Sequence, residues 1–243
     1  QTCLEKQTRK TVEAYVDDVV IKTRHVETLI DDLRLTFDNL RAYDIKFNPE
    51  KCVFGVPAGK LLGFIVSNRG IEANPAKIRA LSQLATPTDL KQVQKLAGCV
   101  AALSRFISRL GEKALPLYRL LRRTDNFEWT DAATAGLEEI KALLASNPIL
   151  AAPDTGEPML LYILATHQVV SAVLVVEREQ DGHKFPLQKP VYYVSTVLTP
   201  CKSRYPHYQK IAYAVFMASR KLRHYFQEHS ITVASEVPLN DII

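Results

Sequence analysis

The chain has 243 residues, 47% hydrophobic and 23% charged, which is enough to bury a sizeable core and to hold two or more domains. A net charge of +5 and a pI of about 9.0 suit an anionic partner. The four cysteines (Cys3, Cys52, Cys99, Cys201) are too scattered for a zinc motif or a disulfide framework, and the longest apolar runs, such as residues 169–176, are too short to span a bilayer, so composition predicts an intracellular protein with reduced thiols and no membrane partner.

The chain opens at Gln1 without a signal peptide and soon enters a strand pattern, as expected of a segment of a longer polypeptide. Val12, Ala14, Tyr15 and Val16, then Asp17 and Asp18, then Val19, Val20 and Ile21 read as strand, tight turn, strand. Neighbouring residues on a strand point to opposite faces, so only a turn lets two adjacent carboxylates converge on one ion. With a third carboxylate they would hold two divalent cations roughly 3.5–4 Å apart, the arrangement for in-line attack on a phosphate. From the pair alone a solvated turn is the alternative, because Asp is common in turns. Residues 26–43 carry Val26, Leu29, Ile30, Leu33, Phe37 and Leu40 at helical spacing. Apolar runs at 53–56 and 60–66, separated by Pro57-Ala58-Gly59, predict strand, loop and strand, with a further turn at Asn68-Arg69-Gly70.

The order of these pieces carries a resemblance. Tyr-Val-Asp-Asp at 15–18, an amphipathic helix, Phe-Asn-Pro-Glu-Lys-Cys at 47–52, Leu-Gly-Phe at 62–64 and Gly-Ile-Glu-Ala-Asn-Pro-Ala-Lys-Ile at 70–78 resemble the reverse transcriptase of gypsy-type long-terminal-repeat retrotransposons, plant elements in particular. The resemblance implies an α+β fold. The C-terminal part of a polymerase palm would occupy 1–73, a helical thumb 74–125, a connecting helix and linker 126–153, and a ribonuclease H-like α/β domain 154–243. It matches Asp17 and Asp18 to catalytic carboxylates that bind two magnesium ions in the intact polymerase. Tyr15 matches the aromatic residue beside the nucleotide and primer end, and Leu62, Gly63 and Phe64 the hairpin that holds the primer 3′ end. The implied partners are a template–primer duplex of RNA or DNA, a deoxynucleoside triphosphate (dNTP) and the remainder of the Pol polyprotein. The implied location is a cytoplasmic virus-like particle, or the nucleus.

Pro75 opens the next helix and Pro87 closes it; Thr88 and Asp89 then start another, expected to run to about Ile107. Leu90, Val93, Ala97, Val100 and Ile107 form its apolar stripe. Lys91, Lys95, Gly98, Ala102, Arg105 and Arg109 recur every three or four residues, so a continuous helix puts them on one side. Residues 89–123 hold eight Lys or Arg against Asp89 and Glu112, a larger surplus than that of the whole chain. Composition weighs a solvated basic face and a nucleic-acid surface equally. The resemblance selects the second, matching Gln94, Gly98 and Ala102 to positions that track the minor groove of the template–primer duplex.

Beyond a short helix at 114–121, an extended piece at 126–129 and a helix at 132–145, turn signals at 147–148 and 152–156 precede strands at 159–164, 169–176 and 191–194. A helix at 208–226 and a strand at 231–234 complete the opening of a ribonuclease H-like fold. The resemblance places Leu164 and Ile211 where active relatives carry Asp and Glu, and Ser235-Glu236 where they carry Thr-Asp. It therefore implies no metal and no cleavage at this domain, which would serve as a structural connection. Polymerisation would belong to the intact protein, with this chain alone inactive. The rival readings are a nucleic-acid-binding scaffold without chemistry and a decayed remnant of an element.

Overall fold

The structure, a computed structural model, describes residues 2–239 apart from Arg9, Asp17, Arg24 and residues 122–126. The chain divides into two compact units between Asn68 and Arg69. Arg122, Arg123 and Asn126, used above in the basic surplus and the extended piece, lie outside the described residues.

In the first unit, β1 (Val12–Tyr15) pairs antiparallel with β2 (Asp18–Ile21) in the register Val12↔Ile21 to Tyr15↔Asp18. Strand alternation turns Val12, Ala14, Val19 and Ile21 toward Leu4 and toward Phe37 and Leu40 of α1 (Leu29–Arg41). The helix expected from 26 starts later, after a 3-10 turn at Val26–Thr28. Buried Gln7 ties the N-terminal segment to α1: its Nε2 donates to Thr36 Oγ1 at 3.0 Å, and its Oε1 accepts from Asn39 Nδ2 at 2.7 Å. Phe37 meets the Phe47 and Phe54 rings at 6.3 and 6.4 Å. Strands β3 (Ala58–Leu61) and β4 (Phe64–Ser67) form a second antiparallel hairpin, with β3 beside β2.

The second unit starts with β5 (Gly70–Ala73), which pairs antiparallel with β6 (Ile149–Leu150) across the intervening helices. Gly70 is required there, since its φ is +131° and a Cβ would lie 2.1 Å from the Leu150 carbonyl oxygen. Between these strands run α2 (Pro75–Ser82), α3 (Leu90–Ala102), α4 (Leu110–Lys113), α5 (Leu115–Leu120) and α6 (Asp131–Ala145). The mixed sheet that follows has the order β10-β7-β8-β9, from β7 (Met159–Ala165), β8 (Val169–Arg178), β9 (Leu187–Val197) and β10 (Ile231–Ala234). β10 runs parallel to β7, and the other pairs are antiparallel. α7 (Pro200–Ser203), α8 (His207–Lys221) and α9 (Arg223–Glu228) connect β9 to β10, with buried Leu222 breaking the helix expected over 208–226. Ile211, Ala214 and Ala218 of α8 pack on the sheet.

The turn leading into β7 is locked by charge. Arg178 on β8 donates from Nε and an Nη to the two Glu157 oxygens at 2.9 and 2.8 Å, and to the Ala152 carbonyl at 2.8 Å. The Asp154 amide also donates to Glu157, at 2.8 Å. The Arg178 hydrogen bond holds the Glu157 carboxyl below its ordinary range, despite opposing burial. A carboxyl depressed in the folded state contributes stability above its unfolded pKa and loses it as pH falls through the folded value. Glu157→Gln is expected to cost about 1–3 kcal/mol at neutral pH. In chemical denaturation the gap to wild type should narrow below pH 4; a gap that is flat with pH would refute the clamp.

Candidate functional site

Both hairpin tips of the first unit are strained in the same way. Val16, which follows Tyr15 before its ladder partner Asp18, sits at φ 51°. That is a costly conformation for a β-branched residue, of the kind stored at functional sites. Asp17 itself lies outside the described residues. Asp18 stands at the first position of β2 directly across from Tyr15, so the two exposed side chains share the hairpin face turned away from the core. At the other tip, Leu62 (φ 51°) and Gly63 (φ 78°) form the turn between Leu61 and Phe64. Two positive φ angles match the twist of an antiparallel hairpin; Gly accepts this freely and Leu does not. The Leu62 side chain is exposed, while Phe64 is half-buried.

The chemistry of this face suits a hard cation. Asp18 is exposed, makes no salt bridge among the described residues, and supplies the oxygen donors that magnesium takes. Among the described residues no group of three or more His, Cys, Asp or Glu converges.

In the second unit α3 starts from a reciprocal cap. Asp89 accepts from the Gln92 amide at 2.9 Å, and the Gln92 side chain returns to the Thr88 amide and hydroxyl at 3.1 and 3.0 Å. Val93, Leu96 and Val100 are buried. Lys91, Gln94, Lys95, Gly98 and Ala102 are all exposed, on the opposite side. A Cβ on Gly98 would meet nothing within 4 Å. A mid-helix glycine costs about 0.5–1 kcal/mol relative to Ala, and nothing inside the chain requires this one.

The basic row is shorter than expected. α3 ends at Ala102, not near Ile107, and Arg105 and Arg109 leave its face. Arg105 lies in a 3-10 turn (Ser104–Phe106), half-buried, with its guanidinium 4.7 Å over the Tyr192 ring of β9. Arg109 adopts a left-handed conformation before α4 and pairs with Glu112. The apolar period continues through Leu103, Phe106 and Leu110, all buried, so no local signal marks the bend that packing on the sheet imposes there. This contact is further fixed by the Gly111 amide donating to Ser195 Oγ at 2.8 Å, itself 2.8 Å from Ser171 Oγ, and by Arg119 donating to Gln168 at 2.7 Å. Sequence reasoning missed this network and the Glu157–Arg178 clamp; their partners are far apart in the chain and no motif marks them.

The three positions that the resemblance matches to nuclease carboxylates lie in unlike surroundings. Leu164 is 37% exposed and lines a groove of about 230 Å³ with Ser108, Arg109, Tyr162 and Tyr193. Ile211 is 2% exposed, sealed among Ala165, Val170, Leu198 and Ala214. Glu236 is exposed beyond β10. Two apolar side chains supply no oxygen to a metal.

Residues 129–233 match the RNase H-like domain found in reverse transcriptase. The wider chain is similar to retrotransposon Pol polyproteins. It is 27% identical over 227 residues to the retrovirus-related Pol polyprotein from transposon 297 of Drosophila melanogaster, covering 91% of this chain and 20% of that protein. To the transposon Tf2-3 polyprotein of Schizosaccharomyces pombe it is 26% identical over 226 residues, 93% of this chain and 17% of that protein. The chain thus spans about a fifth of the curated relatives it matches. Its fold is similar to part of foamy viral protease-reverse transcriptase. The TM-score is 0.84 at 22% identity to a form in complex with ds DNA, covering 99% of this chain and 41% of that one. It is 0.81 at 22% identity to the complex with RNA/DNA hybrid, covering 97% and 31%. The helices ahead of residue 129 and the hairpins of the first unit are covered by the same likeness, which is one of fold alone.

Proposed function

We infer that this chain is the part of a gypsy-type, plant-like retrotransposon reverse transcriptase that holds the template–primer duplex, and that its RNase H-like domain does not cleave. The observation that carries the duplex reading is the outer face of α3. Two lysines and Gln94 flank Gly98, a glycine with no intramolecular reason, and Ala102 extends the small surface. Lysines take phosphates, and small residues let a backbone approach closely. The complexes of the foamy viral relatives with dsDNA and RNA/DNA hybrid support this reading. Arg105 and Arg109 are not part of that row.

Polymerisation is assigned to the longer polypeptide. Asp17 and Asp18 would hold two magnesium ions together with a carboxylate from another segment, and Tyr15 would border the incoming dNTP. When bound, the ions would supply Lewis-acid activation and charge neutralisation for attack of the primer 3′-hydroxyl. The residues of this chain would then position the primer end, through the rigid Leu62-Gly63 turn, and hold the duplex along α3. A virus-like particle in the cytoplasm is the compartment this reading implies.

The test pairs stability with binding. Gly98→Ala is expected to raise stability by about 0.5–1 kcal/mol while weakening duplex binding, read by fluorescence anisotropy. Lys91→Glu with Lys95→Glu should lower duplex affinity at least about tenfold and flatten its salt dependence by about two phosphate contacts. Duplex affinity unmoved by all three substitutions would overturn the reading. Primer extension by the chain alone, lost on Asp18→Asn, would overturn the assignment of polymerisation to the longer polypeptide.

A further inference from the structure

The RNase H-like domain carries a second basic surface, away from α3. No Asp or Glu occurs from Gly182 to Gln227, a span holding eight Lys or Arg. Much of that span forms α7 and α8. α8 buries Lys210, Ile211, Ala214 and Ala218 against the sheet side, which leaves Phe216 and Arg220 exposed on its other side, with half-buried Tyr213, itself packed against the Ile211 cluster, next to Phe216. Phe216 is 55% exposed, unusual for a phenylalanine in mid-helix. Its ring lies 6.4 Å from that of Tyr213, tilted by 34°. Each ring has a cation beside it: Arg220 is 5.7 Å from the Phe216 centroid, and Lys202 of α7 is 4.1 Å from that of Tyr213, with its Nζ also donating to the Tyr213 hydroxyl at 2.9 Å. Neither cation forms a salt bridge among the described residues.

We propose that the outer face of α7 and α8 binds single-stranded nucleic acid, with a base stacked on Phe216 and the backbone phosphates taken by Lys202 and Arg220. Two aromatic rings set side by side between ordered cations form the combination that single strands use. Every base has a π-face for the ring, and every nucleotide a phosphate for the cation. The complete lack of acids over 46 residues favours a polyanion, and the exposed ring selects bases over carboxylates. A duplex keeps its bases stacked inside and offers nothing to Phe216. This surface is therefore distinct in ligand from α3, although it rests on the reading of the chain as a nucleic-acid-binding part of a reverse transcriptase.

The two are separated by titrating the full chain with labelled oligothymidylate and, separately, with labelled duplex. Phe216→Ala, Phe216→Leu and Arg220→Ala are surface changes, checked for folding by circular dichroism. Phe216→Ala and Phe216→Leu should each lower oligothymidylate affinity about tenfold, since leucine keeps apolar area but loses the stacking ring. Arg220→Ala should reduce the salt dependence of that binding by about one phosphate contact. Duplex affinity should stay unchanged in all three, and fall only in the α3 variants. Oligothymidylate binding unaffected by Phe216→Ala would overturn the proposal. So would displacement of the oligonucleotide by polyglutamate at equal affinity, which would indicate an acidic protein segment instead. Loss of duplex binding in the α3 variants with no change here would leave the reverse-transcriptase reading standing and this one refuted.

Discussion

Ile211→Glu is expected to destabilise the RNase H-like domain by about 3–5 kcal/mol, whereas Leu164→Asp should cost less than about 1 kcal/mol. The two substitutions place an acid at the positions that the resemblance matches to nuclease carboxylates, and the structure gives them unequal sites. Ile211 is enclosed by Ala165, Val170, Leu198 and Ala214, with Tyr213, Met217, Val237 and Leu239 packed around them. An ionised carboxylate there loses its water and gains no cation. Its pKa would rise, so the variant is least impaired at acid pH and loses stability as pH climbs through the raised folded value. Leu164 stands at the groove beside Tyr162, partly open to water, and an Asp there keeps much of its hydration. Urea denaturation of both variants at pH 5 and pH 8 reads the difference. An Ile211→Glu variant within 1 kcal/mol of wild type at pH 8 would mean that the pocket opens to solvent. Magnesium-dependent cleavage of an RNA/DNA hybrid by the unaltered chain, lost on Glu236→Ala, would contradict the proposed loss of nuclease chemistry.

Gly136→Ala in α6 should lower stability by about 1–3 kcal/mol, the opposite sign from Gly98→Ala in α3. Helix propensity alone favours Ala by about 1 kcal/mol at either position. At Gly136 a Cβ would lie 2.2 Å from the Lys113 carbonyl oxygen, a backbone atom at the end of α4 that cannot swing aside. The clash therefore outweighs the propensity gain, and α6 would have to shift off α4. At Gly98 the same methyl group enters open space, so the propensity gain stands alone. Thermal melts of the two single variants and their double check both signs, and the double should be additive because the sites share no partner. A Gly136→Ala variant that melts above wild type would show that α6 and α4 are not in close contact.

Within the first unit, short-range pattern carried most of the information. Alternation on either side of Asp17 and Asp18 predicts the β1–β2 hairpin, and the structure pairs Tyr15 with Asp18. The capping residues Thr88 and Asp89 mark the start of α3 correctly because the hydrogen bonds that cap it close within four residues. The strands expected from apolar runs at 159–164, 169–176 and 231–234 are found at Met159–Ala165, Val169–Arg178 and Ile231–Ala234. What escaped was decided by partners distant in sequence. Nothing near Arg105 says that Tyr192 will lie beneath it, and nothing near Gly111 says that Ser195 will accept its amide from 84 residues away.

By itself, then, the sequence determined the hairpin that presents Asp18, the basic start of α3 and the order of the RNase H-like elements. Each rests on hydrogen bonds or side-chain periods that close within a few residues. Only the tertiary structure decided where α3 stops, that β5 is completed by β6, that β10 lies parallel to β7, and that Ile211 is sealed while Leu164 is not. Those outcomes depend on which surfaces exclude water together, a property of the packed unit that no local window of residues encodes.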